Sequence, residues 1–233
     1  MRFAVTYDIC GNAELPLDYR AGFVALIKTA SEKTDNQHYL HDDESSPLCF
    51  AIRFDRKPEI RDDKIIIGKN LRLYISSSSL LLGTALYNGL VSIKEFQIYA
   101  MQVVNPIASY IKEDVIRHSA VIFATLSPIV IRHYQRRDRY VLPNEEGFAQ
   151  SLLNGLSEQW KLYNKDDLDI NDISVDILKF KKVVMTHYGG LVLGFTGVLQ
   201  MHANPDVLKF FYQAGIGYRR SNGFGFVEVD STQ

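Results

Sequence analysis

The order of apolar patterns along the chain, more than any single motif, limits what it can fold into. Residues 2–8 alternate apolar and polar, as a half-buried strand does. Pro16 and Asp18 then open a helix through about residue 33, with Tyr19, Phe23, Leu26, Ile27 and Ala30 on one face. Residues 48–54 and 64–75 read as strands, and 78–90 as a helix carrying Leu82, Leu86 and Leu90. Residues 92–104 read as a strand rich in β-branched and aromatic side chains. The same rhythm then repeats. Residues 120–134 form one or two strands, broken at Ser127-Pro128. Pro143 opens a helix with Phe148, Leu152, Leu156 and Trp160 at fourfold spacing. Residues 174–186 and 190–201 are strands joined by the hairpin signal Tyr188-Gly189-Gly190. Leu191, Leu193, Phe195, Leu199 and Met201 fall on one face of the second of them. Asn204 caps the last helix and Pro205 fits its first turn; Val207, Leu208, Phe211 and Ala214 face inward, and Gly215 ends it. A strand over 223–229 closes the count.

Strand, helix, strand, strand, helix, strand, taken twice, predicts an α+β protein of two tandem ferredoxin-like βαββαβ domains. The boundary falls near 105–116, which divides the chain into residues 1–110 and 111–233, with a glycine-rich loop before the last strand.

Composition excludes several classes. Hydrophobic residues are 46% and charged residues 23%, which fits a folded soluble protein and not a disordered chain. No run of about 18 apolar residues offers a membrane span. Asp8 interrupts the N-terminus where a secretory signal needs unbroken apolar sequence. Cys10 and Cys49 are too few for a disulfide framework or, alone, a zinc site, so a reducing cytoplasm is expected. The net charge of −1 gives no bulk attraction to nucleic acid, but the charges are segregated. Arg132, Arg136, Arg137 and Arg139 stand against one Asp138; Lys179, Lys181 and Lys182 form a second basic group, and Arg219 and Arg220 a third. Acidic residues gather at Asp42, Asp43 and Glu44 and again over Asp166–Asp176. Such segregation can build a local positive field on a neutral protein; the alternative is solvated faces of both signs.

The most specific segment is AGIGYRRSNGFGFVEV, 214–229. A dinucleotide fingerprint needs a third glycine where Arg220 stands, and a strand before and a helix after, the reverse of the order here. A P-loop needs Gly-Lys-Ser/Thr, and Gly223 is followed by Phe224. What remains is a helix-to-strand loop whose bare backbone a ligand can approach and whose exposed N–H groups make an anion-binding concavity. Arg219 and Arg220 add charge, and Tyr218 adds a stacking face. On this reading Gly215, Gly217, Tyr218, Arg219, Arg220, Ser221, Asn222, Gly223 and Gly225 hold a polyanionic strand. The competing reading is a glycine turn that lets helix and strand pack tightly.

GFTGVLQM (194–201), NPDVLKFFYQAGIG (204–217) and SNGFGFVEV (221–229) match in order the C-terminal signature of a known family. The chain resembles the CRISPR-associated repeat-processing endoribonucleases of the repeat-associated mysterious protein (RAMP) superfamily. ATLSPIVIR (124–132) resembles the family's Ser-Pro strand, and LPLDYRAGFVALIKTA (15–30) with HYLHDDESSPLCF (38–50) its first helix and histidine-bearing segment. The resemblance implies paired ferredoxin-like folds that bind precursor CRISPR RNA and cut it within each repeat. It implies no metal and no cofactor: the ribose 2′-hydroxyl attacks the adjacent phosphate, leaving a 2′,3′-cyclic phosphate and a 5′-hydroxyl. It also implies a monomer or homodimer.

That reaction needs a base for the 2′-hydroxyl, a charge partner for the phosphorane and an acid for the leaving oxygen. By the resemblance His41 is the general base, with His38 one turn away as backup; Lys28 on the first helix is the candidate charge partner. Arg132, Arg136, Arg137, Lys181, Lys182, Arg219 and Arg220 are expected to hold phosphates. His118, His133, His187 and His202 share no metal-ligand spacing, and His133 lies in the basic stretch where it could touch phosphate. Asp42, Asp43 and Glu44 read as a solvated loop.

Two family positions differ here. Val24 stands where many members have a tyrosine, and Ser46, Pro47 and Leu48 where many have a lysine. Some members bind RNA without cutting it, so a non-cleaving repeat-binding protein or a subunit of a CRISPR effector complex is the alternative. A small-molecule enzyme of the same fold would need a deep apolar pocket with convergent polar groups.

Overall fold

In a computed structural model, which describes residues 1–34, 46–164 and 166–230, the alternating N-terminal residues form β1 (Arg2–Gly11), followed by β2 (Glu14–Pro16) and α1 (Arg20–Glu32). Then come β3 (Leu48–Phe54), β4 (Glu59–Arg61), β5 (Lys64–Ile66), β6 (Asn70–Ser77), α2 (Leu80–Ser92), β7 (Glu95–Ile98) and β8 (Met101–Tyr110). The second half contains β9 (Ala120–Thr125), α3 (Phe148–Lys161), β10 (Ser174–His187), β11 (Gly190–His202), α4 (Pro205–Ala214) and β12 (Val227–Val229).

Strand order in the first large sheet is β3-β6-β1-β8-β7, and in the second β10-β11-β9-β12. Setting aside the edge strand β7, both read second, third, first, fourth within their unit, with every pairing antiparallel. The chain is therefore two ferredoxin-like halves in tandem. In the first, Phe3, Val5 and Tyr7 of β1 and Leu71, Leu73 and Ile75 of β6 turn toward α1 and α2 and form one apolar core. In the second, Phe123, Phe195, Leu199 and Met201 meet Leu152 and Leu156 of α3 and Leu208 and Phe211 of α4. Period two in the strands and 3.6 in the helices place these residues on facing surfaces.

The faces not covered by helices adjoin. Cys49 and Ala51 of β3, Tyr74 of β6, Leu126 and Phe226 make a small cluster between the halves. Arg2 is buried there, with its guanidinium between the rings of Tyr212 (4.1 Å) and Phe226 (4.4 Å) and its Nη2 donating to Val227 O at 2.9 Å. Stacking on two faces suits the weakly hydrated guanidinium.

Four expectations change. The strand expected over 92–104 is the hairpin β7–β8, because Tyr99 takes a left-handed conformation (φ 53) and turns the chain back. Residues 64–75 divide between β5 and β6, and β5 joins β2 and β4 in a small third sheet. The helix expected from Pro143 begins only at Phe148, after Gly147 at φ 81. The last strand is confined to Val227–Val229, since Gly223 and Gly225 take positive φ (87 and 71) and break the extended run.

Candidate nucleic-acid interface

The segment from Gly215 to Phe226 leaves α4 and returns to β12 along the joint between the halves. A Cβ at Gly215 would lie 2.8 Å from the Cys49 Cβ and 2.9 Å from Gly225 O; one at Gly223 would lie 2.7 Å from the Phe50 ring. Both have φ above +80°, where a side chain is strained regardless of space. The amides are also used internally. Gly215 N donates to Phe211 O (2.9 Å), Ile216 N to Gly225 O (2.9 Å), Tyr218 N to Val130 O (2.8 Å) and Gly225 N to Pro128 O (2.8 Å). The expectation of an open cradle of exposed amides is thus corrected: Gly215 and Gly223 admit Cys49 and Phe50 of the first half, and the loop is a wedge between the two sheets. Gly223, Gly225, Ser221 and Asn222 are buried with Gly215, while Gly217, Tyr218 and Arg219 keep partial exposure.

Arg220 is 3% exposed, and its Nη2 donates to Ser46 O at 3.4 Å. Burial lowers its pKa below the ordinary arginine value. Cys49, beneath it, has its thiol pushed up to about 12 by burial, against a smaller opposite pull from Arg2 and Arg220.

A second contact ties the tip of the β10–β11 hairpin to the start of α1. The Asp18 carboxylate meets His187 Nδ1 at 3.3 Å and accepts the Gly189 amide at 3.3 Å. His187 is 2% exposed; burial lowers its pKa, and the Asp18 charge partly offsets that. Arg20 lies beside it, 4.8 Å from the Tyr19 ring and 4.9 Å from the Phe224 ring, and donates through Nε to Gly223 O at 3.4 Å. Isolated charges scattered along the sequence gave no sign of this cluster.

On the outer side, the Arg132 guanidinium lies 5.0 Å from the Tyr218 ring, and the Tyr218 hydroxyl donates to Glu158 at 2.9 Å. Arg136, Arg137 and Arg139 are exposed in the loop before α3. The three lysines of β10 do not form one patch. Lys179 and Lys181 lie opposite Val198 and Thr196 on the uncovered face, while Lys182 lies opposite Phe195 on the helix-covered face. Lys28 is an exposed residue of α1. His38 and His41 lie outside the described residues. Val24 is buried in the first core, and Ser46, Pro47 and Leu48 are buried as well.

The uncovered face of the first sheet carries two arginines absent from the sequence expectation. Arg53 and Arg72 are cross-strand partners, set between core residues that point the other way. Arg72 lies 5.1 Å from the Tyr74 ring and donates to Ser109 Oγ at 3.1 Å. Like charges directly opposite one another destabilise a sheet by themselves. Among the described residues, no group of three or more His, Cys, Asp or Glu comes together as metal ligands, and no helix is long and apolar enough to cross a membrane.

Two ferredoxin-like halves, wedged together by a glycine-rich helix-to-strand segment, define a tandem ferredoxin-like α+β protein. The family model for CRISPR associated protein Cas6, C-terminal, matches residues 111–229, and the chain belongs to this Cas6 family. It is 27% identical over 187 residues to a CRISPR-associated endoribonuclease-like protein Cas6 of Pyrococcus furiosus, covering 76% of each chain. It is 27% identical over 112 residues to the CRISPR-associated endoribonuclease Cas6 1 of Methanocaldococcus jannaschii, covering 46% of this chain and 44% of that one. In fold it is similar to the solved structure from a Cas6-related gene of Pyrococcus furiosus (TM-score 0.87, 23% identity, 100% of both chains). It is also similar to a RAMP protein described as binding different RNA substrates (TM-score 0.84, 23% identity, 98% of this chain and 99% of the other).

Proposed function

We propose that the chain is an endoribonuclease that cuts precursor CRISPR RNA within its repeats without a metal ion. Family membership carries the reading, together with relatives named as endoribonucleases. In the reaction the ribose 2′-oxygen forms a bond to the adjacent phosphorus, and the bond from phosphorus to the 5′-oxygen breaks. The 2′-hydroxyl proton passes to His41, and the leaving 5′-oxygen takes a proton in turn. The products are a 2′,3′-cyclic phosphate and a 5′-hydroxyl. Lys28 neutralises charge on the phosphorane, and His38 is the alternative proton carrier. Ser46, five residues after His41 in the sequence, accepts Arg220 Nη2 on its carbonyl at the joint between the halves.

The RNA strand is read as running over the uncovered faces of the two sheets, which we take as domains 1–110 and 111–233. Arg53 and Arg72 on one side and Lys179 and Lys181 on the other offer phosphate partners there. Arg132, Arg136, Arg137, Arg219 and the stacking ring of Tyr218 extend the path past the glycine segment. Single-stranded bases can stack on such rings, and the backbone sets affinity.

One observation favours a second reading, in which the chain holds repeat RNA without cutting it, alone or in an effector complex. Val24 and Leu48 are core residues, so the tyrosine and lysine of other members have no counterpart at those places. Incubating cognate repeat RNA with excess protein in EDTA separates the two. Cut RNA with a 5′-hydroxyl end supports the endoribonuclease; a shifted but intact RNA supports the binder.

A further inference from the structure

A recess at the start of α3 contains none of the residues proposed for the cutting reaction. It encloses about 320 Å³ between His133, Tyr134, Arg136, Arg139, Glu146 and Gly147. His133 is only 9% exposed, and its ring is held on two sides. Its Nδ1 accepts the amides of Gln135 (3.2 Å) and Arg136 (3.3 Å), and the Tyr134 ring stacks on it at 5.1 Å and 12°. A nitrogen that accepts carries no proton, so the ring N–H is on Nε2. Among the described residues no acceptor takes that N–H. Gly147 stands beside it: a Cβ there would lie 3.4 Å from Nε2. The glycine is also the N-cap of α3, with no side chain capping the helix.

The recess therefore gathers donors: the His133 Nε2–H, the Arg136 fork, and the positive end of a 14-residue helix. Donors of this kind match an acceptor-only ligand, which is a phosphate oxygen. The charge balance selects among phosphates. Arg136, Arg139 and Glu146 line the recess, and Arg139 is also paired with Glu145 just outside it at 3.2 Å, so the local cations are matched by carboxylates. A neutral recess suits a singly charged phosphodiester better than a free dianion. Glu146 can accept a ribose hydroxyl, and the Tyr134 ring, 42% exposed, offers a stacking face.

We propose that this recess seats one nucleotide of a single-stranded RNA, with its phosphodiester on His133 and Arg136 and its base on Tyr134. The proposal rests on the RNA-binding reading above and adds a subsite to it.

Binding of cognate repeat RNA to the full chain, measured over a salt series, tests it. Arg136→Ala is expected to reduce the steepness of the salt dependence by about one phosphate contact. Tyr134→Leu is expected to weaken binding roughly 5- to 150-fold at unchanged slope. Both side chains are exposed, so matched melting temperatures confirm that the variants fold. Labelled histidine adds an independent signal: the His133 Nε2 resonance is expected to shift with RNA and not with 10-fold higher 5′-AMP or inorganic phosphate. Wild-type affinity and slope in both variants would overturn the proposal while leaving RNA binding intact. So would an equal His133 shift with free phosphate or 5′-AMP. Failure of the wild-type chain to bind any RNA would instead refute the functional reading beneath it.

Discussion

At Gly223 a methyl group has nowhere to go. The Phe50 ring stands 2.7 Å from where it would be placed, and φ is +87°. Gly189 offers the control, since its φ is also positive (+73°) but nothing lies within 4 Å of its absent Cβ. Gly189→Ala is expected to cost about 1 kcal/mol from backbone strain alone, and Gly223→Ala about 2–4 kcal/mol from strain and overpacking together. Denaturant titration of the two variants measures this, and equal losses would remove the wedge reading. The glycine spacing was legible in the sequence, and so was the alternative between cradle and packed turn. What decides between them is Cys49 and Phe50, residues of another half whose approach no local pattern announces. The same holds for His187, which looked like one histidine among several. Its unfolded ring titrates near pH 6.5, while burial in the folded joint lowers its pKa, with Asp18 offsetting part of the effect. Above that range its contribution to stability is constant. As pH falls below about 6.5 the unfolded chain takes up a proton that the folded ring resists, so stability drops. Between pH 7.5 and 5.5, His187→Gln is expected to lose less melting temperature than the wild type; an equal loss contradicts the assignment.

At the scale of elements, period two decided more than clustering did. Lys179, Lys181 and Lys182 are neighbours in sequence, yet β10 sends Lys182 to the opposite face from the other two. Conversely, Arg53 and Arg72 belong to separate strands and form no run, yet the β3–β6 register sets them opposite one another. The strands were legible from their alternation, but their register was not, because it depends on pairing partners distant in the chain. The proposed RNA path predicts a measurable consequence. Removing both charges in Arg53→Ala/Arg72→Ala is expected to flatten the log–log salt dependence of RNA binding by about 1.4, two single-strand phosphate contacts. Lys182→Ala is expected to change it far less than Lys181→Ala. An unchanged slope in the double variant would move the RNA off this face.

For the whole molecule, the doubled strand-helix rhythm was enough to read two ferredoxin-like halves, because each half follows its own local periodicities. The way the halves meet was not legible. It is built from Arg2 between Tyr212 and Phe226, from Asp18 against His187, and from Arg220 against Ser46, contacts that join opposite ends of the chain. The joint brings the glycine segment, the start of α1 and Ser46 into one region. The most direct measurement is the single-turnover cleavage rate of cognate repeat RNA in EDTA, for the wild type and His41→Ala. The wild type is expected to cut under these conditions and His41→Ala to cut at least about 100-fold more slowly, with binding nearly unchanged. Cleavage that stops in EDTA, or proceeds equally fast without the His41 imidazole, would contradict this expectation.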